Sequence, residues 1–280
     1  MMKSAISVLF ASTALAFAAA PAVAQDAAEP STAQPTTDQP SAGQPDSGQS
    51  GTAQPGTAQP GTAQPAAAAA TQAPAGPLSP EQVEAQNKAI ADFSAAQQAQ
   101  AAGNHAQVIS TLEPALPVIR EIAGRNPSDI QNAGFLASAL TITANSQGAL
   151  GNIDAIAPLY MEAAPQWTKV YEADKANAGV RGTLISILVN LGNFSLNKQD
   201  KMAAQPLFEQ ALAVTKEGRA ADPASADLAN FEFASLIGLN QATGEASYLE
   251  AAKPIGAELR EKGTVSAANQ PAVDAILGAA

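Results

Sequence analysis

The stretch QDKMAAQPLFEQALAVTKEGRAADP, residues 199–223, is the third copy of a pattern that recurs along the chain. Its first residue, Gln199, lies 48 positions after Gly151, which in turn lies 48 positions after Gly103. Two further series keep this spacing: Pro158, Pro206 and Pro254, and Leu140, Leu188 and Leu236. A period of this length is typical of stacked helical hairpins, because each hairpin can bury its apolar face only against its neighbours.

Helix start signals precede several copies of the pattern. Ser79 is a candidate N-cap, with proline at the first helical position and Gln82 three residues after the cap. Ser128 begins a similar signal after a proline, and Asp222-Pro223 indicates another start. We therefore predict an all-α fold of eight helices in four hairpins, closed by a short ninth helix. The predicted ranges are 80–102, 105–125, 128–148, 153–176, 179–197, 201–220, 224–243, 246–262 and 271–278.

The three prolines of the 48-residue series lie near the start of the second helix of a hairpin. Beyond the first turn, proline removes one backbone hydrogen bond and bends the helix. Pro158, Pro206 and Pro254 therefore predict a similar bend in three helices. The alternative is that these helices begin one turn later. Each proline would then lie in the first turn, where no helical hydrogen bond is lost.

One of these second helices resembles a known repeat family. Ala204, Phe208, Ala211 and Leu212, followed by Asp222-Pro223, resemble the second-helix signature of a tetratricopeptide repeat. Other copies match with more drift: Val108, Leu112, Ala115 and Leu116; Ile156, Tyr160, Ala163 and Ala164; and Ala252, Gly256 and Leu259. The turns Gly103-Asn104-His105 and Gly151-Asn152-Ile153, and the first-helix residues Leu188, Leu191 and Gly192, also resemble that family.

The resemblance covers about residues 80–263. It implies a right-handed solenoid of about four helical hairpins plus a short C-terminal helix. A standard tetratricopeptide repeat has about 34 residues, so a period of 48 implies longer helices. A HEAT-like α-solenoid remains the alternative, and in either architecture each hairpin contacts mainly its neighbours.

Residues 1–24 are typical of a secretory signal peptide. Lys3 provides the positive start, residues 5–20 form an apolar run, and residues 22–24 give a small-x-small cleavage pattern. An uncleaved membrane anchor is the alternative, but the apolar run is short for a bilayer span. We therefore predict an exported protein, in a bacterial periplasm, with secretion as the alternative.

Residues 25–78 have low complexity, with three tandem copies of Gly-Thr-Ala-Gln-Pro at 51–65. Recurrent proline blocks helices and removes backbone donors, and the composition offers nothing to build a core. This segment is predicted to be a disordered linker, which acts either as a spacer or as a neutral insertion. Residues 79–280 are predicted to form the helical repeat domain.

Composition argues against several functional classes. The formal net charge is −11 and the chain has no basic run, so neither nucleic acid nor an anionic membrane is an expected target. Cysteine is absent and His105 is the only histidine, which excludes disulfides and thiolate zinc sites. Phosphate-loop, serine-hydrolase and zinc-protease motifs are also absent. We predict no enzyme, no cofactor and no metal, and we assign His105 and Trp167 to packing between helices.

A column of amide side chains emerges when the repeats are aligned. It contains Gln97, Asn145, Asn193 and Gln241, each 48 residues apart on a first helix. Amides donate and accept hydrogen bonds, so this column fits the backbone or the terminal carboxylate of an extended peptide. The resemblance implies that the first helices line a groove that this column faces, with Phe93 and Ile237 supplying apolar contact beside it. The alternative is that the amides serve only helix surface and packing.

These features predict a non-enzymatic module that binds a protein or peptide partner in the cell envelope. A self-associating structural or assembly factor, and hence a homo-oligomer, is the alternative class. An enzyme with an unrecognised site is a third, less favoured class.

Overall fold

The computed structural model of the protein describes residues 78–278. This range is helical throughout its regular structure, without a β-strand. The predicted signal peptide and nearly all of the predicted linker lie outside the described residues. The helices of the described range are α1 (Pro80–Ala101), α2 (His105–Arg125), α3 (Ile130–Ala149), α4 (Ile156–Ala173), α5 (Ala178–Asn197), α6 (Lys201–Ala221), α7 (Ala226–Thr243), α8 (Ala246–Glu261) and α9 (Gln270–Leu277).

The all-α prediction is confirmed for these residues, including the short last helix. The capping box at Ser79 is also confirmed. The Ser79 hydroxyl accepts a hydrogen bond from the backbone N–H of Gln82, and the side-chain oxygen of Gln82 accepts one from the backbone N–H of Ser79. The helices pack in chain order, each against the one before it and the one after it, and α5 also contacts α7. The three leucines of the 48-residue series, Leu140, Leu188 and Leu236, are all buried.

Two predicted helix starts are wrong by a few residues. The cap of α3 is Asp129 rather than Ser128, and the cap of α7 is Ser225 rather than a residue of Asp222-Pro223. Asp222 instead ends α6, where its amide donates to the Gly218 carbonyl. In each case the helix begins directly after the residue whose short side chain accepts hydrogen bonds from backbone N–H groups of the first turn. These caps, together with Asn177 of α5, again lie 48 residues apart.

The loops inside the first three hairpins share one backbone conformation. Gly103, Gly151 and Gln199 have φ values of 72°, 81° and 61°, in the left-handed region. A residue with a Cβ is strained there by about 1–2 kcal/mol, whereas glycine is not. Of these three loop residues, Gln199 is therefore the one with a strained backbone conformation.

Gln199→Gly is therefore expected to raise the free energy of unfolding by about 1 kcal/mol, after allowance for the greater freedom of glycine in the unfolded chain. Urea denaturation followed by circular dichroism measures the change. The matched control is Gln98→Gly, because Gln98 is an exposed residue inside α1 where glycine costs about 1 kcal/mol. A Gln199→Gly variant as unstable as this control contradicts the strain.

The prolines of the 48-residue series do not act alike. A 3₁₀ segment, Ile153–Ala155, precedes α4, so Pro158 is only the third residue of the α-helix, where a backbone N–H has no helical partner. The prediction of a regular bend is wrong for Pro158, and the later start applies. Pro206 and Pro254 do lie inside α6 and α8. Further prolines lie inside α2 and α4: Pro114, Pro117 and Pro165.

Polar contacts join successive second helices, and two of them lie at equivalent positions of successive repeats. Arg120 of α2 donates two hydrogen bonds to Glu162 of α4, at 2.7 and 2.8 Å, across 42 residues. Gln210 of α6 donates to Thr168 of α4 at 3.3 Å, also across 42 residues. Both members of the second pair lie 48 residues after those of the first. Equivalent positions of the second helices therefore meet at both junctions.

Candidate functional site

The predicted amide column lies along the first helices, but its members differ in exposure. Gln97 of α1 and Asn193 of α5 are exposed, whereas Asn145 of α3 and Gln241 of α7 are half-buried. Within residues 78–278, the side chains of Gln97, Asn193 and Gln241 have no hydrogen-bond partner. Three of the four amides are therefore unpaired in the described structure.

The amide of Asn145 is already engaged. Its Oδ1 accepts a hydrogen bond of 2.6 Å from the hydroxyl of Tyr160, which reaches it from α4. Tyr160 is 3% exposed, and burial raises the pKa of its hydroxyl to about 12, so the proton needed for this bond stays in place. At this position the amide supports packing between α3 and α4, while its two N–H hydrogens have no partner within the described residues.

The two apolar residues predicted beside the column contribute mainly to the core. The ring of Phe93 packs edge-on against Phe135 of α3, with ring centroids 5.0 Å apart. Ile237 is 9% exposed and belongs to the apolar cluster of the last two hairpins. Ile237 therefore has little surface to offer a ligand, whereas Phe93 is half-buried.

His105 and Trp167 both link neighbouring helices. His105 Nδ1 lies 3.3 Å from the hydroxyl of Ser146, which joins α2 to α3. Trp167 Nε1 donates to the hydroxyl of Thr141 at 2.9 Å, which joins α4 to α3. Both contacts agree with the prediction that His105 and Trp167 pack between helices.

A groove that the sequence analysis missed lies between three helices of the second and third hairpins. We call it the α4–α6 groove, and its volume is about 440 Å³. Helix α5 contributes Leu188 and Leu191, and α6 contributes Leu207 and Gln210. Helix α4 contributes Met161, Ala164, Pro165 and Thr168. None of these side chains is charged, and the only polar ones, Thr168 and Gln210, are hydrogen-bonded to each other.

Comparison of the repeats with one another shows why the groove exists. Ala164 occupies the register in which the flanking hairpins carry Leu116 and Leu212, which are 4% and 9% exposed. A buried leucine is thus replaced by a methyl group in the second hairpin, and the missing side-chain volume leaves a space between α4 and its neighbours. The exchange of leucine for alanine is visible when the sequence is aligned with itself at a shift of 48 residues.

Two other groove positions differ from the flanking hairpins in charge. Met161 replaces Glu113 and Glu209, and its side chain is 63% exposed. In the same way, Thr168 replaces Arg120 and Lys216. The second hairpin therefore exposes an uncharged, largely apolar surface where the others are charged.

A charged cluster closes the contact between α4 and α6 one turn beyond Thr168. The Tyr171 hydroxyl donates to Glu217 at 2.6 Å, and Lys175 pairs with the same carboxylate at 3.3 Å. Burial, followed by this hydrogen bond, raises the pKa of Tyr171 to about 12. The same bond, followed by the Lys175 bond, lowers the pKa of Glu217. These groups satisfy one another, so the charge near the groove is already paired.

Across residues 78–278, no group of three or more histidine or acidic side chains is placed to bind a metal ion. In the same part of the chain, no helix combines the length and the apolar character needed to span a bilayer. No protein-family model, no curated protein and no solved structure matches this chain.

Proposed function

We propose that the protein is an exported, non-enzymatic binding module of the periplasm, built as a right-handed tetratricopeptide-like solenoid with lengthened helices. It captures a protein or peptide partner along its first helices. The observation that carries the proposal is the column of amides at 48-residue spacing, of which Gln97 and Asn193 are exposed and unpaired within the described residues.

The spacing of the column suits an extended peptide. The first helices α5 and α7 contact each other directly, and packed helices lie about 10 Å apart. An extended chain rises about 3.3 Å per residue, so such a peptide passes from Asn193 to Gln241 in about three residues. Each of the three unpaired amides, those of Gln97, Asn193 and Gln241, can pair with both a backbone N–H and a backbone C=O, so binding along the column does not require a particular side-chain sequence.

The double variant Gln97→Ala, Asn193→Ala tests this proposal. Both side chains are exposed and unpaired, so folding is unaffected, whereas the loss of two hydrogen-bonding groups weakens peptide binding about tenfold or more. The ligand is a peptide selected from a random display library on the full chain, and titration calorimetry measures its affinity.

The matched control is Asn87→Ala, Gln98→Ala, which removes two exposed amides that lie outside the column. The control is expected to bind the selected peptide like the unaltered protein. Equal affinity of the two double variants contradicts the amide column as the binding surface.

A further inference from the structure

We infer that the α4–α6 groove is a second binding site, which takes an uncharged aliphatic side chain of leucine size from a partner polypeptide. The inference goes beyond the proposed function, because it concerns another surface. On α5, Leu191 and Asn193 are two residues apart, which places them about 160° apart around the helix. The groove and the amide column therefore lie on nearly opposite sides of α5.

The missing leucine defines the size of the occupant. In the first and third hairpins, Leu116 and Leu212 fill this register with their own side chains. In the second hairpin Ala164, which is 9% exposed, lines the groove together with Leu188 and Leu207 and does not fill it. An aliphatic side chain from outside regains the burial that the flanking hairpins achieve internally.

The absence of charge in the lining excludes a charged occupant. The flanking hairpins carry an acid at the register of Met161 and a base at that of Thr168, so in them this surface is charged. A charged group placed in the α4–α6 groove loses its hydration and finds no counter-charge among the eight lining residues. An uncharged side chain avoids this cost.

The two polar residues favour a polypeptide over a lipid chain. Gln210 donates one hydrogen to Thr168 at 3.3 Å, and its amide oxygen has no hydrogen-bond partner within the described residues. A peptide backbone beside the aliphatic anchor supplies an N–H to that oxygen and a carbonyl to the second amide hydrogen. An acyl chain offers neither group.

Methionine methyl groups provide a direct probe of the groove in the full chain. The sequence has only four methionines, of which Met161 lines the groove and Met202, 89% exposed at the start of α6, lies outside its lining. The protein is labelled with ¹³C at the methionine methyls and titrated with the blocked peptide acetyl-Gln-Leu-Gly-Gln-amide. We expect a saturable shift of the Met161 resonance and none of Met202.

Three comparisons decide the result. The peptide with glutamate in place of leucine is expected to bind at least tenfold more weakly. Ala164→Leu, which restores the residue of the flanking hairpins, is expected to weaken leucine-peptide binding at least tenfold. Ala164→Val, a smaller addition in case leucine disturbs the fold, is expected to give an intermediate loss.

The inference is overturned if Met161 does not shift, or if both Ala164 variants bind the leucine peptide as the unaltered protein does. An uncharged alkyl maltoside serves as the lipid-like competitor. If it shifts Met161 while the leucine peptide does not, the groove is an acyl-chain site and the polypeptide assignment is wrong. A change at the amide column leaves all of these results untouched, so the two proposals fail separately.

Discussion

Gly238→Ala is expected to lower the free energy of unfolding by about 3 kcal/mol, at the upper end of the cost of overpacking a core. The ring of Phe208, which is fully buried, lies between glycines of α5 and α7. A Cβ on Gly238 would lie 2.4 Å from the ring, and one on Gly192 would lie 2.6 Å from it. In a helix free of such contacts, the same change stabilises by about 1 kcal/mol, so the sign of the effect reports the packing.

A double-mutant cycle isolates the contact. Phe208→Ala alone is expected to cost about 3–5 kcal/mol, because it leaves a cavity between α5, α6 and α7. In the Phe208→Ala background, Gly238→Ala is expected to cost little or to stabilise, since the clashing ring is gone. Urea denaturation of the four proteins then gives a coupling energy of about 2 kcal/mol or more.

The control for this cycle is Gly182→Ala, also in a long helix but with no atom within 4 Å of the added Cβ. It is expected to leave stability unchanged or to raise it by up to about 1 kcal/mol. If Gly238→Ala behaves like Gly182→Ala, the close approach of α5 and α7 around Phe208 does not exist in solution.

The 48-residue period predicted the helices well because it reflects what every repeat must share. Leu140 and Leu188 occupy equivalent positions of two repeats, and both are buried in the core. The loop before each second helix also contains a residue in the left-handed conformation. The cap of α3 was misplaced by one residue because Ser128 and Asp129 are both good caps. Only the backbone geometry decides between such neighbours.

The candidate sites were harder to predict because they depend on differences between repeats and on contacts across helices. The α4–α6 groove arises from one exchange, Ala164 for leucine, which a search for common features passes over. The bond from Tyr160 to Asn145 joins residues on different helices, so the spacing within one helix carries no sign of it. The four residues of the amide column could be identified from the sequence. The sequence does not show which of them lack a hydrogen-bond partner.

The turn between α4 and α5 differs from its equivalents in a similar way. The turns after α2 and α6 carry proline, at Pro127 and Pro223, where this turn has Lys175. Arg181 instead binds this turn through its side chain. Its side chain is 7% exposed, and Nη2 donates to the carbonyls of Lys175 and Ala176, both at 3.3 Å.

Arg181→Ala is therefore expected to lower the free energy of unfolding by about 2–3 kcal/mol. The change removes two charge-assisted hydrogen bonds and leaves a cavity beside Gly218. Alanine itself suits this register, since Ala133 and Ala229 occupy it in the second and fourth hairpins. The loss thus measures the role of the arginine rather than a local helix preference.

Two further variants separate hydrogen bonding from volume. Arg181→Met keeps most of the volume and removes a buried Nε that has no partner in the described residues, so a cost of only about 1 kcal/mol is expected. Gly218→Ala places a Cβ 2.8 Å from Arg181 Cδ, and Arg181→Ala is expected to relieve that clash.

Hydrogen exchange adds a local readout, because residues 174–177 should exchange faster in Arg181→Ala while residues 126–129 do not. Uniform acceleration of both turns would show that Arg181 stabilises the whole chain and not this junction, because only a residue that holds its own turn changes that turn alone.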